Sequence, residues 1–341
     1  MRVLVIRVDH LGDLVLTTPL FRALAQAGHR VEVVCRKSTL PVLTGNPHIA
    51  GYYAIEDIAP GFPSKWWMLS RWIRILKPDL ILLPHARTFE LCLAVRVGHF
   101  GRIIAMWGGW TGRLFIFDNL RSQLFSNTRH MTDICLDMAR AIGCADDGLQ
   151  PEIFLTPEER TAADEDVCFR FGNRKVVIVH PGCAGNTCNF PLGVYRQIIQ
   201  QLLSGLGVVV IVTGSIEEKS VFGDSFKNFD PAFVWNAMGE FSLRKLCAVI
   251  DRSDALVSVG TGPLHIATAV GTPAVAPFCR RTGVSKTVWG NTCQRSVHLE
   301  PPLSFCLPDK ALGHCDFGGT ITAESVVLAV RQILIQEPKK L

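Results

Sequence analysis

The chain has 341 residues, of which 48% are hydrophobic and 19% charged; this excludes a disordered chain and suits two domains of ordinary size. The net charge is +5, too small an excess to point to nucleic acid. It is uneven: residues 1–150 hold 17 basic and 12 acidic side chains, while residues 151–341 hold 18 of each. The first half is therefore the one expected to meet an anionic partner.

Taken in order, β-rich runs alternate with helical stretches. Arg2–Val8 predicts a strand, Leu14–Ala27 a helix and Val31–Cys35 a second strand. A helix at Lys65–Leu76 leads to a strand at Asp79–Leu83. A helix at Phe89–Val97, a strand at Arg102–Met106 and a helix at Met131–Ile142 close this half. The acidic helix Pro157–Phe171 is the expected junction. The alternation then restarts, with strands at Val176–His180, Val208–Thr213, Ala255–Val259 and Ala274–Phe278. Helices are expected at Tyr195–Leu206, Leu243–Arg252, Leu264–Val270 and Ala323–Gln336. Strands alternating with helices mean βαβ units and parallel sheets covered on both faces. The expected architecture is α/β: two Rossmann-like, doubly wound domains, 1–155 and 172–341, facing a cleft, with the last helix a candidate to pack back on the first domain. Ligands in such sheets bind beyond the carboxyl ends of the strands.

No apolar run is long enough to span a bilayer, and the charged start Met1–Asp9 reads as a strand rather than an export signal. A cytoplasmic protein is expected. Among the 12 cysteines, Cys35, Cys135 and Cys247 fall in apolar contexts and read as small buried hydrophobes. Cys293, His298, Cys306, His314 and Cys315 can be drawn as a zinc site, but their spacing fits no common zinc pattern. No metal and no cofactor is expected. Trp66, Trp67, Trp72, Arg71 and Arg74 form either a membrane- or acceptor-facing patch or an ordinary amphipathic helix on the sheet.

Two loops can carry chemistry. After the first strand comes Val8-Asp9-His10-Leu11-Gly12-Asp13, which is not a GxGxxG fingerprint. Asp13 can cap the following helix or stand as a carboxylate able to accept a proton. After Ala255–Val259 comes Gly260-Thr261-Gly262-Pro263-Leu264-His265. Its glycines allow close backbone approach, Pro263 suits a first helical turn, and Thr261 can cap. The turn is either a diphosphate cradle or a glycine-rich strand-to-helix turn. His265 alone is more ordinary as a packing residue.

In sequence order, these segments resemble glycosyltransferase family 9, whose best-known members are the ADP-heptose:lipopolysaccharide heptosyltransferases. The resemblance runs nearly the whole length. It is carried by Ile6-Arg7 through Gly12-Asp13, Thr18 through Leu24, His180-Pro181-Gly182, Gly214 through Glu218, Ser242-Leu243 and Thr261 through Ala267. It implies a GT-B fold and a metal-free, inverting transfer from a nucleotide-sugar, ADP-heptose favoured. The acceptor it implies is an anionic glycolipid of the lipopolysaccharide type, met at the cytoplasmic face of the inner membrane.

On that resemblance Asp13 would be the general base. Gly182, Glu218, Thr261, Gly262, Pro263 and His265 would bind the donor, Glu218 at its ribose and the turn at its diphosphate. Three departures stand out. Cys188 replaces the family's Lys, Gly260 replaces its Asp, and Leu83 and His85 stand where Asp-x-Gln is common. Arg280 and Arg281, after the strand Ala274–Phe278, are either a substitute for the missing charge or a solvated pair. If position 188 is merely a drifted family site, Lys restored there is expected to recover affinity. Other readings are a catalytically silent nucleotide- or glycan-binding homologue and a non-transferase GT-B enzyme such as an epimerase.

Overall fold

The computed structural model describes residues 1–61, 64–86, 88–106, 128–146, 148–183, 185, 187–281, 283–305 and 317–336, and the backbone of 118–120. Two compact units divide between Phe154 and Leu155, with Thr128 grouped with the second. The first is built on β1 (Arg2–Ile6), β2 (Arg30–Cys35), β3 (Gly51–Ala54), β4 (Leu80–Leu83), β5 (Arg102–Met106) and β6 (Asp118–Leu120), in the order β3-β2-β1-β4-β5-β6. The second is built on β7 (Val176–His180), β8 (Val209–Val212), β9 (Val234–Asn236), β10 (Ala255–Ser258), β11 (Ala274–Pro277) and β12 (Val297–Leu299), in the order β12-β11-β10-β7-β8-β9. All these pairings are parallel. In both units the strand order reverses beside the unit's first strand, between β1 and β4 and between β7 and β10, which is where a doubly wound sheet opens a crevice.

The central strands are unbroken apolar runs: Leu80–Leu83 reads LILL, Val209–Val212 reads VVIV, and every residue in both is buried. A strand covered on both faces needs apolar side chains on both. On one face of the first sheet, Leu69 and Ile73 of the helix Lys65–Leu76 and Leu91 and Val95 of the helix Phe89–Gly98 pack on Leu4, Ile6, Ile81 and Ile103. These two helices cross closely at Gly98, where a Cβ would lie 2.8 Å from the Ser70 carbonyl oxygen.

The single helix expected at Leu14–Ala27 is two, Leu11–Val15 and Thr18–Gln26. Pro19 lacks the N–H that would continue the first. The hydroxyls of Thr17 and Thr18 donate instead to the carbonyls of Asp13 and Val15, at 2.7 and 2.8 Å. The helix Pro157–Phe171 is not a free junction. It packs in the second unit against Leu243–Arg252, tied by Arg244–Glu159, Arg160–Asp251, Lys245–Asp166 and Arg252–Asp164 ion pairs. The last helix, Ala323–Ile335, also belongs to the second unit: Val326, Val330 and Ile333 lie in its core, and it packs on the helix Leu192–Leu206. Its apolar face is thus taken up within the second unit. Its capping residue Thr322 follows directly on buried Ile321, so the chain has already entered this core where the helix begins.

Cys35, Cys135 and Cys247 are fully buried, as their contexts implied. The suggested zinc set lies partly outside the described residues, at Cys306, His314 and Cys315. Of the rest, His298 Nε2 accepts from the Asn291 N–H at 3.0 Å and the Cys293 N–H bonds Asn291.

Candidate active site

In the first unit the carboxyl edge of β1 carries a chain of charges. Arg7 follows β1 directly, and its N–H still donates to the Val34 carbonyl at 2.8 Å, continuing the sheet by one residue. Its side chain turns inward and is only 3% exposed. A buried guanidinium needs carboxylate partners, and the loop returns two. Arg7 Nη2 donates to Asp13 Oδ1 at 2.7 Å, and Nε lies 3.1 Å from Asp9 Oδ1. His85, two residues beyond β4, brings Nδ1 to 2.7 Å from Asp9 Oδ2. The carboxyl edge between β1 and β4 therefore carries His85, Asp9, Arg7 and Asp13 in one row of charges.

Asp13 does not cap its helix; His10 is the N-cap residue, and no side chain bonds there. Burial is the strongest influence on both acids and disfavours their charge. At Asp9 it is outweighed by Arg7 and the His85 hydrogen bond, and the carboxyl is held below the ordinary range. At Asp13 burial, aided by the nearby Asp9 charge, outweighs Arg7 and pushes the carboxyl up. A carboxylate so raised, with 18% of its side chain still exposed, is a better proton acceptor than an ordinary one.

In the second unit three loops meet at the carboxyl edge. His180 ends β7 and is buried; its Nδ1 lies 3.0 Å from Thr213 Oγ1 beyond β8. Burial, opposed by the Glu218 charge, pushes this imidazole down and keeps it neutral. Glu218 closes a capping box on the helix Ile216–Phe222: its Oε2 accepts from the Ser215 N–H at 2.7 Å, and Ser215 Oγ accepts from the Glu218 N–H at 3.1 Å. Its carboxylate rests on Gly182, where a Cβ would fall 1.9 Å from Oε1. Any residue but glycine at 182 would displace Glu218.

The turn after β10 opens the helix Gly262–Val270, with Pro263 in its first turn. Thr261 is the N-cap residue but its side chain caps nothing; Oγ1 lies 3.0 Å from Ser258 Oγ. The capping alternative for Thr261 is thereby removed. His265 is 4% exposed, with its ring 6.0 Å from that of Trp289.

The departures from the family pattern also have physical accounts. Cys188 is fully buried in the second core with Phe190 and Tyr195, so recovered affinity from a Lys there is no longer the expected result. A Cβ at Gly260 would lie 3.2 Å from Phe278 Cε1, so an acid there requires that ring to give way. Arg280 Nη2 stands 3.9 Å from Glu300 Oε2, and Lys286 Nζ reaches the same oxygen at 2.8 Å. Arg281 is half-buried.

Sequence reasoning picked out Asp13 and the Thr261 turn but missed the roles of Arg7 and Asp9, and it also missed Lys286 and Glu300. The available signal was the alternation Arg7-x-Asp9 with Asp13 a helical turn on, two acids for one base beside a strand end.

The family model described as glycosyltransferase family 9 (heptosyltransferase) matches residues 110–296, more than half of the chain. Among solved structures, a family 9 glycosyl transferase from Veillonella parvula is 19% identical with a TM-score of 0.81, over 98% of each chain. ADP-heptose LPS heptosyltransferase II of E. coli is 18% identical with a TM-score of 0.80, over 98% of this chain and 99% of that one. An E. coli heptosyltransferase solved with ADP is 15% identical with a TM-score of 0.71, over 98% and 100%. No curated protein sequence matches. The structural likenesses show the fold, two parallel-sheet α/β domains of the GT-B kind. With the sequence match added, the chain belongs to glycosyltransferase family 9, a family of sugar-transferring enzymes.

Proposed function

We propose that this chain moves a heptose or related sugar from a nucleotide-sugar, ADP-heptose favoured, to an anionic glycolipid acceptor, with inversion and without a metal ion. The observation that carries this reading is the Asp13 carboxylate, held by Arg7 at the carboxyl edge of β1 and left basic by burial. The acceptor hydroxyl oxygen attacks the anomeric carbon as the bond to the diphosphate oxygen breaks. Asp13 takes the hydroxyl proton, and the nucleoside diphosphate leaves with the electron pair. The first unit supplies the base.

The second unit offers the donor residues: Glu218 over Gly182 for the ribose, and the uncapped helix start at Thr261, Gly262 and Pro263 for the diphosphate. That helix start carries roughly half a positive charge. Arg280 and Lys286, which follow β11 and share Glu300, leave one net positive charge for the leaving diphosphate, and Arg281 is kept with them. Structures of E. coli heptosyltransferase with ADP and with ADP-2-deoxy-2-fluoro heptose support the choice of nucleotide.

ADP is expected to raise the thermal unfolding temperature, because a ligand of the folded state stabilises it. The rise should persist in EDTA and shrink in an Arg280→Ala/Lys286→Ala double variant. A shift that needs Mg²⁺, or none at all with ADP, would sink this donor assignment. A second reading, a nucleotide-sugar binder without transfer, is favoured by the loss of Lys at 188 and Asp at 260. It predicts the ADP shift without any sugar transferred.

The acceptor reading extends to a membrane surface. Among the described residues no helix is long and apolar enough to cross a membrane. Of the tryptophans noted in the sequence, Trp66 and Trp72 pack on the first core, and Trp72 stacks edge-on with Tyr53. Trp67 is 64% exposed, and the neighbouring helix adds exposed Phe89, Leu93 and Val97, followed by Phe100. Arg71 lies over Trp67 and Arg96 over Phe100. Apolar rings beside arginines suit an anionic bilayer surface. The protein is expected to sediment with phosphatidylglycerol vesicles and not with phosphatidylcholine vesicles, and a Trp67→Ser/Phe100→Ser variant to lose most of that binding. Equal, negligible binding to both vesicles would remove the membrane from the proposal.

A further inference from the structure

We infer that Asp9 and His85 are positioning residues for Asp13: they share the Arg7 guanidinium between two carboxylates and so leave Asp13 oriented but only half neutralised. The inference rests on the reading of Asp13 as the base.

The geometry is a four-membered row, His85 Nδ1 to Asp9 Oδ2 at 2.7 Å, Asp9 Oδ1 to Arg7 Nε at 3.1 Å, and Arg7 Nη2 to Asp13 Oδ1 at 2.7 Å. Among the described residues, the single hydrogen bond to the Asp13 carboxylate is that from Arg7. The second oxygen is left for a substrate hydroxyl. Arg7 is buried, so water does little to disperse its charge, and its carboxylate partners must do so.

With one partner, the full charge would fall on Asp13. A carboxylate beside a lone guanidinium loses basicity, and a weakly basic carboxylate is a poor proton acceptor. Asp9 takes up the Nε side and prevents this. His85 comes from the neighbouring strand and fixes Asp9 from its far side, since Nδ1–H can donate only where Asp9 Oδ2 is held. The carboxylate partner means that Nδ1 carries the proton. The remaining ring nitrogen is buried and bonds no described residue, so the Asp9 contact is what sets the ring's orientation.

The other groups acting on Asp13 or Arg7 are exposed His10, in the same loop, and buried Cys135, on the helix Met131–Arg140. The Cys135 thiol is pushed up by burial, so it stays neutral and does not share the Arg7 charge. The two residues that do are Asp9 and Asp13.

The test is the pH profile of sugar transfer at saturating substrates, with ADP affinity measured beside it. Asp9→Asn hands the whole Arg7 charge to Asp13. The Asp13 carboxyl then falls, and the acid limb of the profile should move about 1 unit to lower pH, with kcat down about 10-fold and ADP affinity unchanged. His85→Ala should lower kcat as well. His85→Asn, whose amide N–H can stand in for Nδ1–H, should recover most of that loss.

An Asp9→Asn profile that superimposes on the parent's, or a His85→Asn variant no better than His85→Ala, overturns the inference. If Asp9→Asn does not fold, the two His85 variants decide alone. Failure of the base reading is separately visible: Asp13→Asn would then retain transfer. If Asp13→Asn is inactive while Asp9→Asn behaves as the parent, only the positioning role is lost.

Discussion

Asp13→Asn is expected to lower sugar transfer by about 10²–10⁴-fold while leaving the fold and ADP binding close to those of the parent. The expectation separates two roles for one residue. A helix cap would be worth about 1 kcal/mol of stability and nothing in chemistry, but Asp13 makes no cap. Its partner is Arg7, and the substitution keeps an oxygen that can still accept from Nη2 at the same place. What it removes is the ability to hold a proton. Some stability should also be lost, because Arg7 keeps Asp9 as its one remaining charged partner. Transfer measured with ADP-heptose beside thermal unfolding resolves the two. Parental turnover in Asp13→Asn would end the assignment, whereas a large fall in unfolding temperature with turnover retained would make Asp13 a purely structural residue.

Cys188→Lys is the second large effect, and its direction is opposite to what the family pattern suggests. The family resemblance implies a Lys at this place, so restoring it looks like a repair. Here the side chain at 188 points into the second core beside Phe190 and Tyr195, fully buried. Burying an ammonium among these apolar side chains costs on the order of 3–5 kcal/mol. For a domain of this size that is roughly a 10 °C fall in unfolding temperature. Cys188→Ala keeps the site apolar and should lose far less. A Cys188→Lys protein that unfolds at the parent temperature and binds ADP more tightly would show that the loop can turn this side chain outward, and would restore the drifted-site explanation.

These two residues mark how far the sequence was legible. Strand and helix alternation was readable because parallel strands buried on both faces must be apolar runs, as Leu80–Leu83 and Val209–Val212 are. The edge strands β3, β6, β9 and β12 were not, since three or four residues with little apolar pattern carry no period to read. The break at Leu16–Thr17 was missed because apolar spacing runs straight through it, while the cause is local: Pro19 and two threonine hydroxyls. In the site, Asp13 and the Thr261 turn stood out by motif. The ties of His85 to Asp9 and of Glu218 to Gly182 join loops from different strands, so only the strand order brings them together. The burial of Cys188 was likewise hidden, because the direction a loop side chain faces leaves no mark on composition.

The contact of Gly182 with the Glu218 carboxylate constrains the order in which this family member can change. While Glu218 is seated, even a methyl carbon at 182 would overlap Oε1, so any side chain there must push the carboxylate aside. Once Glu218 is lost, position 182 is relieved of that constraint. A change at 182 made while Glu218 is in place therefore moves that carboxylate off its seat, whereas loss of the acid first leaves the glycine unconstrained by it. The same asymmetry is useful at the bench. Gly182→Ala in a Glu218→Ala background should cost almost nothing, while Gly182→Ala alone should disturb the start of the helix Ile216–Phe222. Position 182 thus reports whether Glu218 is seated.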